Sequence, residues 1–288
     1  MKLLVKFNLA FLALFPVALA VTGTLSQRLL RQNAREEVVM HARIMMESAR
    51  ASRKYTSTKI QPLLAPQMGE VFLPQSVPAF GATEQFAELQ KTFPEYSYKE
   101  ATLNPTNPRD RATDWEADIV YQFRQRGGSE LIGERATPMG PSMFLASPIQ
   151  ITQESCLACH NTAETAPKSV VAKYGNGNGF GWTMGEIIGA QVVSVPMTVP
   201  IQKADRVFRV FMISMAAVLG GLFLIFNIML TVMVVRPVSK LARISDQVSL
   251  GNLEAEEFQG RSRDEIGTLA QSFSRMRKSL TRALKMID

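Results

Sequence analysis

The sequence predicts an α+β domain with an antiparallel sheet, which lies between two membrane-spanning helices and precedes a coiled coil. Three observations lead to this prediction. Two long segments, residues 7–27 and 210–235, contain no charged residue. The region between them has a long helical pattern followed by short strand-like runs. The last part of the chain carries apolar residues at alternating steps of three and four.

Both charge-free segments exceed the roughly 20 apolar residues that a membrane-spanning helix needs. The first follows Lys2 and Lys6, and the sequence ALA at residues 18–20 resembles a signal-peptide cleavage site. The apolar run continues past that point, so we expect an uncleaved anchor over residues 1–27. The second segment predicts a transmembrane helix over residues 209–235.

The net charge of +7 is spread along the chain, with many arginines near the ends of the two apolar segments. Such positions are typical of anchoring at a membrane surface. Nucleic-acid binding would require a dense basic stretch with interleaved aromatic residues, which this chain lacks. We therefore expect a membrane as the partner of these charges, and no nucleic acid.

The region of residues 28–208 opens with a predicted helix from residue 28 to about residue 64, which Pro62 and Pro66 end. One side of this helix carries charged residues at helical spacing: Arg43, Glu47, Arg50 and Lys54. The opposite side carries a stripe that suits a core: Val38, His41, Met45, Ala49 and Ser52.

A second helix is predicted after a turn-rich loop, because Thr113 and Glu116 have the spacing of a capping box. Three strand-like runs follow: ELIGER, MFLASPIQI and AQVVSVPMTV. Helices followed by short strands predict an α+β domain of sensor type.

The tail, residues 236–288, contains two runs of heptad type. The first comprises Leu241, Ile244 and Val248, and the second comprises Ile266, Leu269, Phe273, Met276, Leu280, Ala283 and Ile287. A solitary amphipathic helix on the membrane surface is the alternative. The narrow and persistent 3-4 seam favours a coiled coil.

The motif SCLACH contains both cysteines of the chain, Cys156 and Cys159, and one of its two histidines, His160. The pattern C-x-x-C-H is typical of covalent haem c, in which both sulfurs bind the porphyrin and the histidine binds the iron. A dithiol redox pair usually lies at a strand-to-helix junction of a βαβ unit, a pattern that is missing here. A zinc site needs four ligands, whereas the sequence has only two cysteines and two histidines in all. A disulfide would leave His160 without a role. In bacteria this attachment takes place outside the cytoplasm. We therefore expect a bacterial inner-membrane protein with a periplasmic middle domain and cytoplasmic termini, in agreement with Lys2 and Lys6.

The sequence offers several candidates for the sixth iron ligand. Met45 lies on the predicted inward stripe of the long helix, one turn after His41, whereas Met46 is rotated toward the polar side. Met45 is thus the first candidate, His41 and Met46 are alternatives, and an open coordination site remains. Arg109 and Arg111 are candidates for pairing with the haem propionates, although both suit a solvated loop equally well. The glycine-rich stretch YGNGNGFGW, residues 174–182, predicts a tight loop near the haem and has no pattern for binding a nucleotide.

The middle region resembles the PAS-like haem-c sensor domain of bacterial membrane receptors. The resemblance rests on the stretches MMESARASRKYTSTKIQPLL, FPEYSYKEATLNPTNPRDRATDWEADIV, CLACH and GFGWTMGEIIGAQVVSVPM. In that family a residue of the long N-terminal helix binds the iron opposite the motif histidine, and a cysteine does so in a cyanobacterial member. This chain has no cysteine there, so the resemblance implies a methionine, His41 or an open site.

The tail resembles a HAMP domain through Pro237, Leu241, Gly251 and the sequence DEIG at residues 264–267. HAMP domains form parallel four-helix coiled coils in dimers and relay movements of transmembrane helices. The two resemblances together imply a homodimeric, non-enzymatic receptor that senses redox state or a diatomic gas and signals to a separate cytoplasmic partner. The alternative is a membrane-anchored cytochrome c that transfers electrons to a redox partner; a haem enzyme such as a peroxidase is a third interpretation.

Overall fold

A computed structural model describes residues 3–252, 255–256, 264–284 and 286. The chain divides into two compact units. The middle unit comprises Arg28–Arg206, and the other comprises Met1–Gln27 together with Val207–Asp288.

The first helix, α1, extends over Leu3–Tyr55 and thus contains both the first apolar segment and the start of the middle unit. A π-helical turn, Thr56–Ile60, and a short helix α2, Gln61–Leu64, continue it. A 3-10 turn, Ala65–Gln67, then carries Pro66. The helix predicted up to about residue 64 is therefore confirmed, with the π turn as an addition that the sequence pattern does not show.

The middle unit contains one antiparallel sheet of four strands in the order β1-β4-β3-β2. The strands are β1 (Ser97–Thr102), β2 (Leu131–Thr137), β3 (Gly140–Gln150) and β4 (Ile187–Pro196). The three predicted strand runs correspond to β2, β3 and β4. Strand β1 escaped the sequence analysis because SYKEAT is short and carries two charged residues.

Helices α1, α3 (Pro78–Thr92) and α4 (Asp114–Arg126) pack against the sheet. Two short helices, α5 (Glu154–His160) and α6 (Lys168–Tyr174), lie between β3 and β4 in the chain, and 3-10 turns occur at Pro74–Ser76 and Pro108–Asp110. The predicted capping box of α4 is present, since the carboxylate of Glu116 accepts the backbone N–H of Thr113 at 2.8 Å. The carboxylate of Glu116 also binds Lys99 of β1, which ties α4 to the sheet.

Alternate residues of the central strand β4 face two separate cores. On one face Ala190 and Val192 pack with α4 through Ile119, Val120 and Phe123. On the other face Val193 and Val195 pack against α1 and α3, with this second core also containing Val38, Ala42, Met46, Ala49, Ala82, Phe86, Tyr98, Met143, Leu145 and Met197. The α+β prediction is confirmed by this three-layer arrangement.

The buried stripe of α1 agrees with the predicted stripe at Val38 and Ala49, but Ala42 and Met46 take the places predicted for His41 and Met45. Met46 is 2% exposed and lies in the core, whereas the sequence analysis placed it toward the polar side. Met45 is half-buried at the edge of this core, and His41 is exposed. The predicted charged side is confirmed, because Arg43, Glu47, Arg50 and Lys54 are all exposed.

The other unit contains the first part of α1 and helices α7 (Thr198–Leu230), α8 (Arg236–Ser249) and α9 (Glu265–Leu284), with a π turn at Thr231–Val235. Phe11 packs edge-to-face against Phe223 and Phe226, with ring centroids 6.0 and 4.7 Å apart. Two helical segments, Leu4–Gln67 and Thr198–Ser249, are long and apolar enough to cross a membrane.

In the tail, Leu241, Ile244 and Val248 are buried along α8, and Phe273 of α9 packs against the latter two. The second heptad run lies on α9, where Leu269, Met276 and Leu280 are exposed on the single chain. Ile287, the last member of that predicted run, lies outside the described residues.

Candidate functional site

A cavity of ≈ 280 Å³ opens in the middle unit, and the C-x-x-C-H motif forms part of its wall. A single water needs only about 10–15 Å³ of such space, so the cavity suits a much larger molecule. Its apolar lining includes Phe72, Val77, Phe80, Ile149, Val170 and Ile188. Its polar lining comes from α1, from β1 and from the loop that follows β1.

Both motif cysteines and His160 face this cavity from α5. This one short helix brings together the three residues that the motif predicts should act together. Cys156 and Cys159 are free thiols of intermediate exposure. Burial raises the pKa of Cys159, and the neighbouring Cys156 adds to the effect. Two adjacent thiols and an imidazole therefore point into one apolar pocket.

His160 is held by its Nδ1 atom, which donates to the carbonyl oxygen of Gly179 at 2.7 Å. The hydroxyl of Thr106 lies 3.3 Å from the same nitrogen, and the ring of Trp182 stacks on the imidazole at 3.8 Å. Metal-binding histidines usually donate their second ring N–H to such an oxygen, which fixes the ring and its tautomer. Burial also lowers the pKa of His160. Nε2 is thus left as the lone-pair donor of a neutral imidazole.

Gly179, which binds His160, belongs to the glycine-rich loop of residues 174–182. The sequence analysis predicted that this loop lies near the haem. Asn104 binds the loop from the other side, because its side-chain amide accepts from the N–H of Gly179 and donates to the carbonyl of Phe180, both at 3.1 Å. The backbone N–H of Trp182 donates to the carbonyl of His160 at 3.2 Å. Asn104, Thr106 and Trp182 were not predicted as site residues. The sequence did contain a signal for loops at these positions, because Asn104 and Thr106 flank Pro105, and Trp182 directly follows Gly181.

Arg53 of α1 brings a positive charge to the cavity wall and pairs with Glu100 of β1. The side chain of Glu100 is only 5% exposed, and its other oxygen accepts the hydroxyl of Tyr98 at 2.7 Å. Gln191 of β4 then donates to that hydroxyl at 3.0 Å. A buried charge is costly unless it is paired and hydrogen-bonded, and this network satisfies Glu100 on both oxygens. Sequence analysis missed Arg53, although the buried positions Ala42, Met46 and Ala49 continue to it at helical spacing.

The two arginines predicted to meet propionates have different positions. Arg109 lines the cavity, pairs with Glu84 at 2.6 Å and lies over the ring of Phe80 at 5.0 Å. Arg111 does not belong to the cavity wall in the described part of the chain and donates to Asn178 at 3.1 Å. Burial raises the pKa of Asp110, which also lines the cavity, to about 6, although Arg109 opposes this rise.

The structure does not bring the three candidates for the sixth ligand to the cavity. Among the described residues, its α1 wall consists of Arg53 with Ser57 and Gln61 from the turns that follow. Met46 fills the core, Met45 packs at the edge of that core, and His41 is exposed. The physical reason is the position along α1: Met46 lies on the same face as Arg53 but about two turns, or roughly 10 Å, before it, where that face packs in the core. Met68 is the methionine in the described cavity wall.

These residues fit a covalently attached haem. The apolar lining suits a porphyrin, the thiols can form thioether bonds, and His160 presents Nε2 with Nδ1 already bonded. Arg109 supplies a cation at the wall that can pair with a carboxylate of the group. The glycine-rich loop binds His160 rather than a phosphate.

Fold and site define an α+β ligand-binding domain of the sensory type, carried between two long apolar helices. The chain belongs to the Tll0287-like family, whose sequence model matches residues 31–196. The HAMP domain matches residues 229–282 and indicates a role in signalling. Both predicted resemblances are thereby confirmed.

Among solved structures, the crystal structure of the cyanobacterial heme-protein Tll0287 is similar to this chain. The similarity covers 56% of this chain and 95% of that chain, with 20% sequence identity and a TM-score of 0.42. A comparison with curated proteins found no match.

Proposed function

We propose that this protein is a membrane-bound haem-c receptor. One observation carries the proposal: a domain whose cavity holds the C-x-x-C-H motif is followed, in the same chain, by a HAMP domain. A HAMP domain relays conformational change, which a simple electron carrier does not require. The haem, one per chain, binds through Cys156, Cys159 and His160, and the state of the haem is the signal.

The proposed receptor crosses the bacterial inner membrane twice, with the haem domain in the periplasm and both termini in the cytoplasm. Covalent haem attachment outside the cytoplasm supports this orientation, as do Lys2, Lys6, Arg236 and Lys240 near the other ends of the two apolar segments. Helix α1 contains both the first apolar segment and Arg53 of the cavity wall. Strand β4 contains Gln191 and leads, after Pro196, into α7 with the second segment.

The network of Arg53, Glu100 and Gln191 joins α1, β1 and β4. Because α1 and β4 lead into the two membrane segments, a change at the cavity can act on both segments. Such coupling requires two arrangements whose balance the haem state shifts. The exposed apolar residues of α9, at heptad spacing, fit a homodimer formed through HAMP. The dimer would then pass the signal to a cytoplasmic partner. We propose redox state or a diatomic gas as the stimulus.

The haem proposal is tested by mass spectrometry of protein produced in a host that matures c-type cytochromes. The proteolytic peptide with residues 156–160 should carry the added mass of one porphyrin. Because maturation takes place outside the cytoplasm, this result also supports the periplasmic orientation. The double variant C156A/C159A is the control and should carry none. An unmodified peptide from the unaltered protein would contradict both the haem and the orientation.

A further inference from the structure

The wall of the cavity that belongs to α1 and its following turns contains polar residues that are poor iron ligands. Haem iron in proteins is held by histidine, cysteine, methionine or tyrosine side chains. The α1 side instead presents the guanidinium of Arg53, the hydroxyl of Ser57 and the amide of Gln61. The hydroxyl of Ser57 already donates to the carbonyl of Lys54 at 3.1 Å. Among the residues that the structure describes, hydrogen-bond donors and no strong iron ligand therefore line this side.

Met68, the thioether in the described cavity wall, lies in a turn that holds its side chain. Its sulfur accepts the backbone N–H of Leu73 at 3.4 Å. The hydroxyl of Ser76 lies 3.3 Å from the same sulfur, but its one hydrogen has a closer acceptor in the carbonyl oxygen of Leu73 at 2.8 Å. The carbonyl oxygen of Met68 accepts the hydroxyl of Ser169 at 2.6 Å. One donor of its own turn therefore already binds the sulfur. Tyr174 would bind iron as a phenolate, but burial raises its pKa and so disfavours that form.

Arg53 has hydrogen-bonding capacity to spare. The guanidinium carries five N–H donors in a fixed plane. Within the part of the chain that the structure describes, its hydrogen-bond partner is Glu100, reached through one terminal nitrogen. Arg53 is part-buried, at 28% exposure, so its remaining donors lie in a partly desolvated site where charge-assisted bonds are strong.

Arg53 and Cys156 line the same cavity, so the guanidinium shares the space that the proposed haem would enter. Burial disfavours the charged form of Arg53, but the charge of Glu100 outweighs this effect and keeps the pKa of Arg53 above its ordinary value. Arg109, elsewhere on the wall, is the cation already assigned to a carboxylate of the haem. The free donors of Arg53 are therefore left for something else in the cavity.

We infer that the cavity takes a small anionic ligand from solution at the open iron position and that Arg53 donates the hydrogen bond that selects it. The inference rests on the proposed haem attachment and adds the ligand class and the residue that recognises it. Glu100 and Tyr98 are positioning residues, because they hold the guanidinium without reaching the ligand themselves. Polarity and donors on the open side of a haem decide what binds there.

The test is a titration of the haem-loaded, oxidised full-length protein with azide, followed by the shift of the haem absorption band. We expect saturable binding. Removing Arg53 alone would leave Glu100 buried without its partner, so the variant is R53L/E100Q, with R53K as a milder change. Loss of one charge-assisted hydrogen bond predicts a Kd for azide that rises roughly ten- to hundredfold in R53L/E100Q. Binding of carbon monoxide to the reduced protein, which needs no such donor, should change less than about threefold.

R50L is the matched control, because Arg50 lies one turn earlier on α1 and pairs with Glu47 and Ser147 outside the cavity wall. Its azide affinity should equal that of the unaltered protein. Azide binding that appears only in M68L would show that Met68 occupies the iron and would overturn the inference while leaving the haem receptor intact. Equal azide affinity in R53L/E100Q and the unaltered protein would also overturn it. Absence of porphyrin from the protein would instead contradict the proposed function.

Discussion

At the scale of single residues, Gly179 holds the haem-motif histidine in place. Its φ of +83° lies in the region that residues with a side chain rarely adopt. A Cβ atom at this position would also approach the Cα of Thr106 to 2.7 Å. Both constraints act on the residue whose carbonyl accepts the bond from His160. The glycine is therefore required by backbone conformation and by close packing at once.

We expect G179A to lower the stability of the middle unit and to reduce the fraction of protein that carries haem. Gly175 is the matched control, since its φ of +79° is similar but no atom lies within 4 Å of its added Cβ. Strained backbone costs roughly 1–3 kcal/mol in either variant. Thermal unfolding of the two proteins should show the larger loss for G179A. Equal losses, with normal haem content in both, would mean that contact with Thr106 does not matter.

At the scale of elements, the sequence predicted where helices and strands lie better than it predicted which way α1 faces. Strands β2, β3 and β4 and the capping box of α4 follow from alternation and spacing, which are local signals. The stripe on α1 was ambiguous, because Met45 and Met46 are adjacent and equally apolar. Packing against Phe86, Met143 and the sheet decides between them, and those contacts are distant in sequence.

The corrected face of α1 predicts unequal effects of truncating these two methionines. M46A removes a side chain that is 2% exposed in the core and should cost about 2–5 kcal/mol of unfolding free energy. M45A removes a half-buried side chain at the edge of that core and should cost clearly less. Chemical denaturation of the full chain in detergent measures both, with circular dichroism as the signal. A larger loss of unfolding free energy in M45A than in M46A would show that Met45 faces the core, as the sequence pattern predicted.

The same local signals account for the part of the site that was predicted. The C-x-x-C-H motif is contiguous, so α5 brings Cys156, Cys159 and His160 together wherever it lies. Arg53, Asn104 and Thr106 reach the site from other elements, and only the fold brings them to the motif. Arg53 is the instructive case, because a charge that continues a buried stripe signals a polar function inside the domain.

At the scale of the whole molecule, the proposed receptor and the alternative electron carrier make different demands on the tail. A receptor must change the arrangement of α9 when the haem changes state, because HAMP is its route to a partner. An electron carrier needs only dimerisation from these helices. Leu269, Met276 and Leu280 are exposed on the heptad face of α9. Between two subunits this face could pack in two different arrangements, one for each state of the receptor.

A spin label at Gln271 of α9, an exposed position off the heptad seam, distinguishes these demands. Both native cysteines are consumed by thioether bonds in the haem-loaded protein, so the introduced Q271C is its free thiol. Dimerisation predicts a defined distance between the two labels, and sensing predicts that reduction of the haem shifts the population between two distances. The control Q271C/C156S/C159S cannot form thioether bonds and therefore carries no covalent haem, while the cysteine introduced at position 271 still takes the label. Its label-to-label distance should show no response to reductant. A label-to-label distance that is identical in oxidised and reduced protein would favour the electron carrier, because the tail would then be insensitive to the redox state of the haem.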